Sequence, residues 1–267
     1  MGAWRFLDTG AASGPTNMAV DAAILAGVNR GTSPPTVRVY AWDPPAVSTG
    51  HAQDLSAELD LEACVRSGVG VVRRPTGGRA VLHAGELTYS VIGESGEPPL
   101  GASIMETYGA IAEALVKGLG LLGVSAELAA VQTAHRGSGG GASPPCFVSA
   151  GRFEIVVGGR KLVGSAQRRV GGGVLQHGSL LIDERHEDLA DFLRIGDVQR
   201  DAIRKALRLK TTTLSRLLGR AVEFGEVAYA VRRGFEDAWG IMFTEGSLTD
   251  DESEGSRRLA TEYGVAS

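Results

Sequence analysis

The sequence predicts a single α/β (α+β) domain. Strand-like and helix-like periodicities interleave along the chain instead of segregating into separate halves. Between Ser103 and Leu122, apolar residues at 104, 108, 111, 115, 119 and 122 step by threes and fours, as an amphipathic helix lying on a sheet requires. The length of 267 residues, 43% hydrophobic and 22% charged, suits one large core. No repeat or linker divides the chain, so one domain is expected over 1–248. The acidic stretch from Thr249 to Glu254 opens a polar, loosely attached C-terminal tail over 249–267.

In chain order, Trp4 to Leu7 alternates as a short strand, and Thr16 to Leu25 opens a helix with Thr16 or Asn17 available as N-cap. Thr36 to Trp42 alternates strongly and reads as a strand, broken by Pro44-Pro45 and resumed from Ala46 to Gly50. A helix is expected from Asp54 to Arg66, a strand from Gly70 to Arg73, and another from Glu86 to Ile92. Ser125 to Val131 reads as a strand, and the glycine-rich run from Arg136 to Pro145 as a loop. Phe153–Val157 and Lys161–Gln167 form a hairpin across Gly158-Gly159, a favoured two-residue turn. A further pair of strands is expected around 173–182, followed by helices at 186–194, 198–208 and 225–239.

Composition excludes several classes. Net charge is −4, from 27 basic and 31 acidic residues, which offers no general attraction to nucleic acid or to an anionic membrane. No run of ~18 apolar residues and no signal-peptide core occurs, so a cytoplasmic protein that spans no membrane is expected. Two cysteines, Cys64 and Cys146, are too few for a disulfide framework or a cysteine zinc site, and no metal pattern is visible. Every apolar stripe has an internal use, which favours a monomer. The 38 glycines, about twice the usual ~7% share, fall mostly in loops and mark backbone-lined binding segments.

The chemistry centres on Cys146, at the end of the Gly/Ser/Pro loop, and on Lys161 in the hairpin that follows. A free cysteine is usually a small buried hydrophobe, and Cys64, between Ala63 and Val65, fits that role. The loop around Cys146 has little apolar material in which to bury a thiol, so a nucleophile is the alternative. A neighbouring cation such as Lys161 can bring a thiol from ~8.5 into the range ~3.5–7.5, although sequence spacing does not itself join the two side chains. The segment Arg73-Arg74-Pro75-Thr76-Gly77-Gly78-Arg79-Ala80-Val81-Leu82-His83 combines close-approach glycines with three arginines suited to phosphate or carboxylate. It lacks the Gly-Lys-Ser/Thr of a P-loop, and a solvated surface turn is the plainer reading. Of five histidines, His83 and His177 lie in glycine-flanked stretches, whereas His51, His135 and His186 read as loop or surface residues.

Taken in order, Arg73–His83, Glu86-Leu87-Thr88-Tyr89-Ser90, Gly159-Arg160-Lys161-Leu162-Val163-Gly164-Ser165-Ala166-Gln167 and Gln176-His177-Gly178-Ser179-Leu180-Leu181 resemble the lipoate/biotin protein ligase superfamily. Pro145-Cys146-Phe147 ahead of the lysine hairpin resembles its cysteine-dependent octanoyltransferase branch, over roughly residues 1 to 245. That resemblance implies a mixed β-sheet sandwich with packed helices, of the class II synthetase-like catalytic type. It implies transfer of octanoyl from octanoyl-acyl carrier protein to the lipoyl-domain lysine of glycine-cleavage H protein or a 2-oxoacid dehydrogenase E2 subunit, without ATP or other cofactor. Cys146 would carry the acyl thioester and Lys161 would lower its pKa and move protons. Arg73, Arg74, Thr76, Gly77, Gly78, Arg79 and His83, with Gly164, Ser165, Ala166, His177 and Gly178, would contact substrate. The long Gly137–Gly141 segment departs from the pattern. The mostly helical stretch after the last core strand leans away from a ligase with an accessory domain. An ATP-dependent lipoate–protein ligase, an octanoyl amidotransferase between lipoyl domains and a non-catalytic lipoyl-domain binder stay open as alternatives.

Overall fold

The computed structural model describes residues 3–129 and 154–264. The chain begins with β1 (Arg5–Ala12), α1 (Gly14–Arg30), β2 (Thr36–Trp42), β3 (Ala46–Thr49), α2 (Leu55–Glu58), α3 (Leu61–Arg66), β4 (Gly70–Arg73), β5 (Val81–His83) and β6 (Glu86–Glu94). It continues with α4 (Ile104–Leu121), β7 (Glu127–Leu128), β8 (Ile155–Val157), β9 (Arg160–Val170), β10 (Gly173–Leu181) and a 3-10 segment Glu184–Phe192. The last elements are α5 (Asp197–Lys210), α6 (Leu214–Leu218), α7 (Phe224–Trp239), β11 (Thr244–Glu245) and α8 (Asp250–Tyr263).

Eight strands form one mixed sheet in the order β11-β1-β2-β6-β10-β9-β8-β7, and β4-β3-β5 form a second, smaller sheet. β1 runs parallel to β2 and β11, while β2-β6-β10-β9-β8 is antiparallel throughout. Strand alternation divides the core between the two faces of the large sheet. Phe6 of β1 joins Val37, Val91, Ile111, Leu115 and Phe235 on one face, where α4 and α7 pack. Leu7, the next residue, joins Val20, Ile24, Val28, Ile92 and Leu175 on the other, under α1. The predicted mixed sheet with packed helices is therefore what the chain builds.

The α4 stripe is buried at Ile111, Leu115 and Leu119, and a Ser103–Glu106 capping box starts the helix, but Ile104 is exposed. Three expectations need correction. Residues 54–66 form two short helices, each with its own aspartate cap, because Leu59 leaves helical geometry to bridge Leu193. Residues 173–181 form one long strand, whose partner is β9 across Gly171-Gly172. Of the strand expected over Ser125–Val131, Glu127–Leu128 is the part found among the described residues.

The tail expected over 249–267 is also corrected, since Asp250–Tyr263 is a helix docked on α1. Its acidic run sits in the first helical turn, where carboxylates favour the exposed N–H groups and the positive end of the dipole. Thr249 and Glu252 form a capping box. The Glu252 carboxylate is also buried against the Arg5 guanidinium, at 2.7 Å. At the far end, Tyr263 packs on Met18, Tyr40, Trp42 and Val72, and Gly264 bridges Val72.

Candidate active site

A cavity of about 180 Å³ opens where the middle of β9 and β10 faces α1 and the small sheet. It gathers Arg74, His83, Lys161, Gly164, Ser165, Ala166, His177 and Gly178, eight residues taken from three separate sequence segments. Register explains the convergence. His177 pairs with Ala166, Gly178 with Ser165 and Ser179 with Gly164, so the two glycine-containing stretches run side by side. A Cβ on Gly178 would lie 2.5 Å from the Gly164 carbonyl and 2.6 Å from the Tyr89 ring, so the strands close up here only with glycine.

Lys161 projects from the hairpin that turns at Gly158-Gly159, and its ammonium donates a short hydrogen bond to the Glu154 carboxylate. Both side chains are buried and both line the cavity. Cys146 lies outside the described residues, as does His135. Cys64 is buried, and that burial together with the nearby Asp60 charge pushes its thiol up to about 11, which suits a packing role.

His83 is held on three sides. Its ring stacks on Trp42 with centroids 3.9 Å apart, Nδ1 donates to Glu86 at 2.8 Å, and Nε2 lies 2.7 Å from Ser48 Oγ. Arg74 Nη1 donates to that same Ser48 oxygen at 3.0 Å, leaving the hydroxyl proton for Nε2. His177 Nε2 lies 2.6 Å from Thr76 Oγ1, and Nδ1 stands 3.7 Å from Asp21. Burial lowers the His177 pKa against the pull of Asp21, so the imidazole is neutral near pH 7. Asp21 accepts from Arg38 at 2.7 Å, Tyr40 at 3.1 Å and Ser90 at 2.9 Å. Burial would raise its pKa, but Arg38 and His177 outweigh that and keep it lowered.

The Arg73–His83 segment divides by role. Arg74 is buried and spends its guanidinium on the carbonyls of Ser48, Gly77 and Arg79, so it clamps the loop while walling the cavity. Thr76 supports His177 from behind. Arg73 is exposed and donates to the His51 carbonyl at 3.1 Å. Gly77, Gly78 and Arg79 are not among the residues that line the cavity; the Gly77 and Arg79 carbonyls accept from Arg74, and the Gly78 carbonyl lies against Gly50. His186, read as a surface residue, is buried and lies 2.8 Å from Thr211 Oγ1.

Sequence reasoning missed Met18, Tyr40, Trp42, Ser48, Thr88, Glu154 and Ser179 on the cavity wall, and Asp21 and Glu86 behind it. Two carried a readable signal. Asp21 is a charge among the apolar residues of α1, and Glu154 is a carboxylate directly ahead of the strand that turns into the Lys161 strand. Among the described residues no group of three histidine, cysteine, aspartate or glutamate side chains is placed to hold a metal, and no helix is long and apolar enough to cross a membrane.

Known proteins resemble this chain over nearly its whole length. The family model for the lipoyl protein ligase A/B catalytic domain matches residues 13–236. The octanoyltransferase LipM of Kyrpidia tusciae is 43% identical over 265 residues, covering 98% of this chain and 97% of the relative. That of Bacillus subtilis is 37% identical over 264 residues, covering 97% and 95%. Among solved structures, a bipartite lipoate protein ligase from Thermoplasma acidophilum superposes with a TM-score of 0.79 at 25% identity, covering 98% of this chain and 93% of that one. Lipoate-protein ligase A bound with ATP gives 0.77 at 25% identity, covering 98% and 94%.

Proposed function

The chain belongs to the lipoyl protein ligase A/B catalytic domain family, and we propose from that membership that it is an octanoyltransferase of lipoate biosynthesis. In this reading octanoyl passes from octanoyl-acyl carrier protein to Cys146, and from Cys146 to the lipoyl-domain lysine of apo-H protein or a 2-oxoacid dehydrogenase E2 subunit, in the cytoplasm. The observation that carries it is near full-length similarity to relatives named octanoyltransferase LipM.

The cavity suits the substrate. An apolar void of ~150 Å³ takes a benzene ring, so a cavity of about 180 Å³ is of the size for a medium acyl chain. Each buried methylene contributes roughly 0.8 kcal/mol. In the first step the Cys146 thiolate attacks the donor thioester carbonyl, and the carrier thiolate leaves once the tetrahedral oxyanion collapses. In the second, the acceptor amine attacks the enzyme thioester and Cys146 leaves as thiolate, while the amine gives up its proton. Lys161, held by Glu154, supplies positive charge on the cavity wall, where it favours a thiolate and the developing oxyanion. Both donor and intermediate are thioesters, so no nucleotide is consumed.

A second reading, an ATP-dependent lipoate–protein ligase, draws on the likeness to lipoate protein ligases, one of them bound with ATP. Incubation with octanoyl carrier protein and apo-H protein, without nucleotide, decides between them. Acceptor octanoylation with an octanoyl adduct on Cys146, removable by hydroxylamine, supports the transferase. A requirement for free acid and ATP would replace it, and an adduct formed only from an octanoylated lipoyl domain would make the enzyme an amidotransferase.

A further inference from the structure

The loop that walls the acyl cavity has an outer side that the chemistry above does not use. There a groove of about 330 Å³ is bounded, among the described residues, by His51, Arg73, Pro75, Arg168, Tyr263 and one acidic residue, Glu262. Two guanidiniums face it, each steadied by a backbone carbonyl of the surrounding loops. Arg73 donates to the His51 carbonyl at 3.1 Å, and Arg168 to the Pro75 carbonyl at 2.7 Å. Each bond uses one nitrogen and leaves the rest of a rigid donor fork available.

Among the described residues neither Arg73 nor Arg168 is in an ion pair, a state shared with the exposed Arg30, Arg194, Arg257 and Arg258 but not with every surface arginine. Arg204, Arg220 and Arg232, for example, each hold a carboxylate at 2.5 Å or closer. Two guanidiniums share the groove with one carboxylate, Glu262, while Asp54 also lies within electrostatic reach of Arg73, so the groove wall itself carries a small excess of positive charge. The groove adjoins the acyl cavity, with the buried Arg74 lining both.

Octanoyl is uncharged and cannot use these cations, so the anion must belong to what carries it. An acyl carrier protein presents its acyl group on a phosphopantetheine arm, whose phosphate matches a fork of N–H donors. We propose that the groove between Arg73 and Arg168 is a phosphate subsite for the arm of the acyl donor. This rests on the acyl-transfer reading and names the part of the donor that the enzyme grips.

The test compares two soluble donors that differ by one phosphate, octanoyl-4′-phosphopantetheine and octanoyl-pantetheine, after transfer from octanoyl carrier protein has been established for the same preparation. Wild type should show a higher kcat/KM for the phosphorylated donor, with the difference in KM. Arg73→Ala and Arg168→Ala should each cut that preference by roughly fivefold, the scale of one charge-assisted contact at a partly exposed site. Arg73→Lys and Arg168→Lys should restore part of it. Arg168→Lys also keeps a donor for the Pro75 carbonyl, which guards against loop rearrangement as the cause. No phosphate preference in wild type, or a preference unchanged in the alanine variants, overturns the proposal. So does an effect confined to the KM of the acceptor domain, which would make the arginines contacts for that partner. If carrier-bound octanoyl is not transferred at all, the acyl-transfer reading itself fails, and that result is distinct from loss of phosphate preference.

Discussion

Lys161 and Glu154 form a buried ion pair across one β-hairpin, on the wall of the cavity that the family resemblance assigns to the acyl group. The pair gives the lysine a fixed position and a permanent anionic partner. In the proposed transfer the ammonium would act on the thioester while already engaged by Glu154.

Removing one partner should cost more than removing both. Glu154→Gln leaves a buried ammonium facing an amide, and a loss of about 3 kcal/mol in urea unfolding is expected, in line with broken buried pairs. Lys161→Met combined with Glu154→Gln removes both charges and should recover part of that stability. Transfer activity should stay lost in the double variant. Activity that returned with stability would show the pair to be a folding element alone.

The two cysteines should react very differently. Burial and the Asp60 charge push the Cys64 thiol up to about 11, so at pH 8 only about one molecule in a thousand presents a thiolate there. Brief treatment with iodoacetamide at pH 8 should therefore add one adduct to the wild type, by intact mass, and none to Cys146→Ser. Cys64→Ala should retain transfer while Cys146→Ala loses it. An adduct on Cys64 in the folded protein would contradict its assignment to the core.

Much of this site was readable before the fold was known, and for identifiable reasons. Strands with strong alternation, such as Thr36–Trp42, and the capped helix after Ser103 announce themselves by local periodicity. The Gly158-Gly159 turn announces the hairpin that carries Lys161, whereas a register shift between Ile155 and Val156 keeps the turn alone from placing Glu154. What stayed hidden depends on long-range pairing. Ser48 meets His83 only because β3 and β5 are neighbours, and Met18 reaches the cavity only because α1 crosses the large sheet. The acidic run after Thr249 misled because composition alone does not distinguish a solvated tail from the first turn of a capped helix. The partner that decides the matter, Arg5, lies at the opposite end of the chain.

That last contact has a pH signature. Burial alone would raise the Glu252 pKa, but hydrogen bonds from Arg5 and the cap outweigh it and hold the carboxyl below its ordinary 4.5. A depressed folded-state pKa means that the unfolded chain binds the proton first. The stabilisation is therefore complete above about pH 4.5 and drains away as pH falls through the lower folded value. Glu252→Gln should be less stable than wild type at pH 7, and the gap should narrow in unfolding measurements carried below pH 4. A gap independent of pH would assign the loss to packing of α8 and not to charge.

The closest approach in the site yields the sharpest contrast between two glycines. A methyl on Gly178 would stand 2.5 Å from the Gly164 carbonyl, 2.6 Å from the Tyr89 ring and 2.9 Å from Ser165 Oγ. The first of these is backbone on the adjoining central strand and cannot swing aside. Gly178→Ala should therefore cost about 1–3 kcal/mol, the range for overpacking. It should also move β9 where Gly164 and Ser165 line the cavity, lowering transfer more than tenfold. Gly159 sits at φ +74° in the hairpin turn with open space where its side chain would be. Gly159→Ala carries only the conformational cost of a left-handed alanine, roughly 1 kcal/mol, at a position that does not itself line the cavity. Urea midpoints should separate the two variants modestly and octanoyl transfer should separate them strongly. Equal activities would mean that β9 can shift without disturbing the pocket, and that the tight β9–β10 spacing serves the sheet alone.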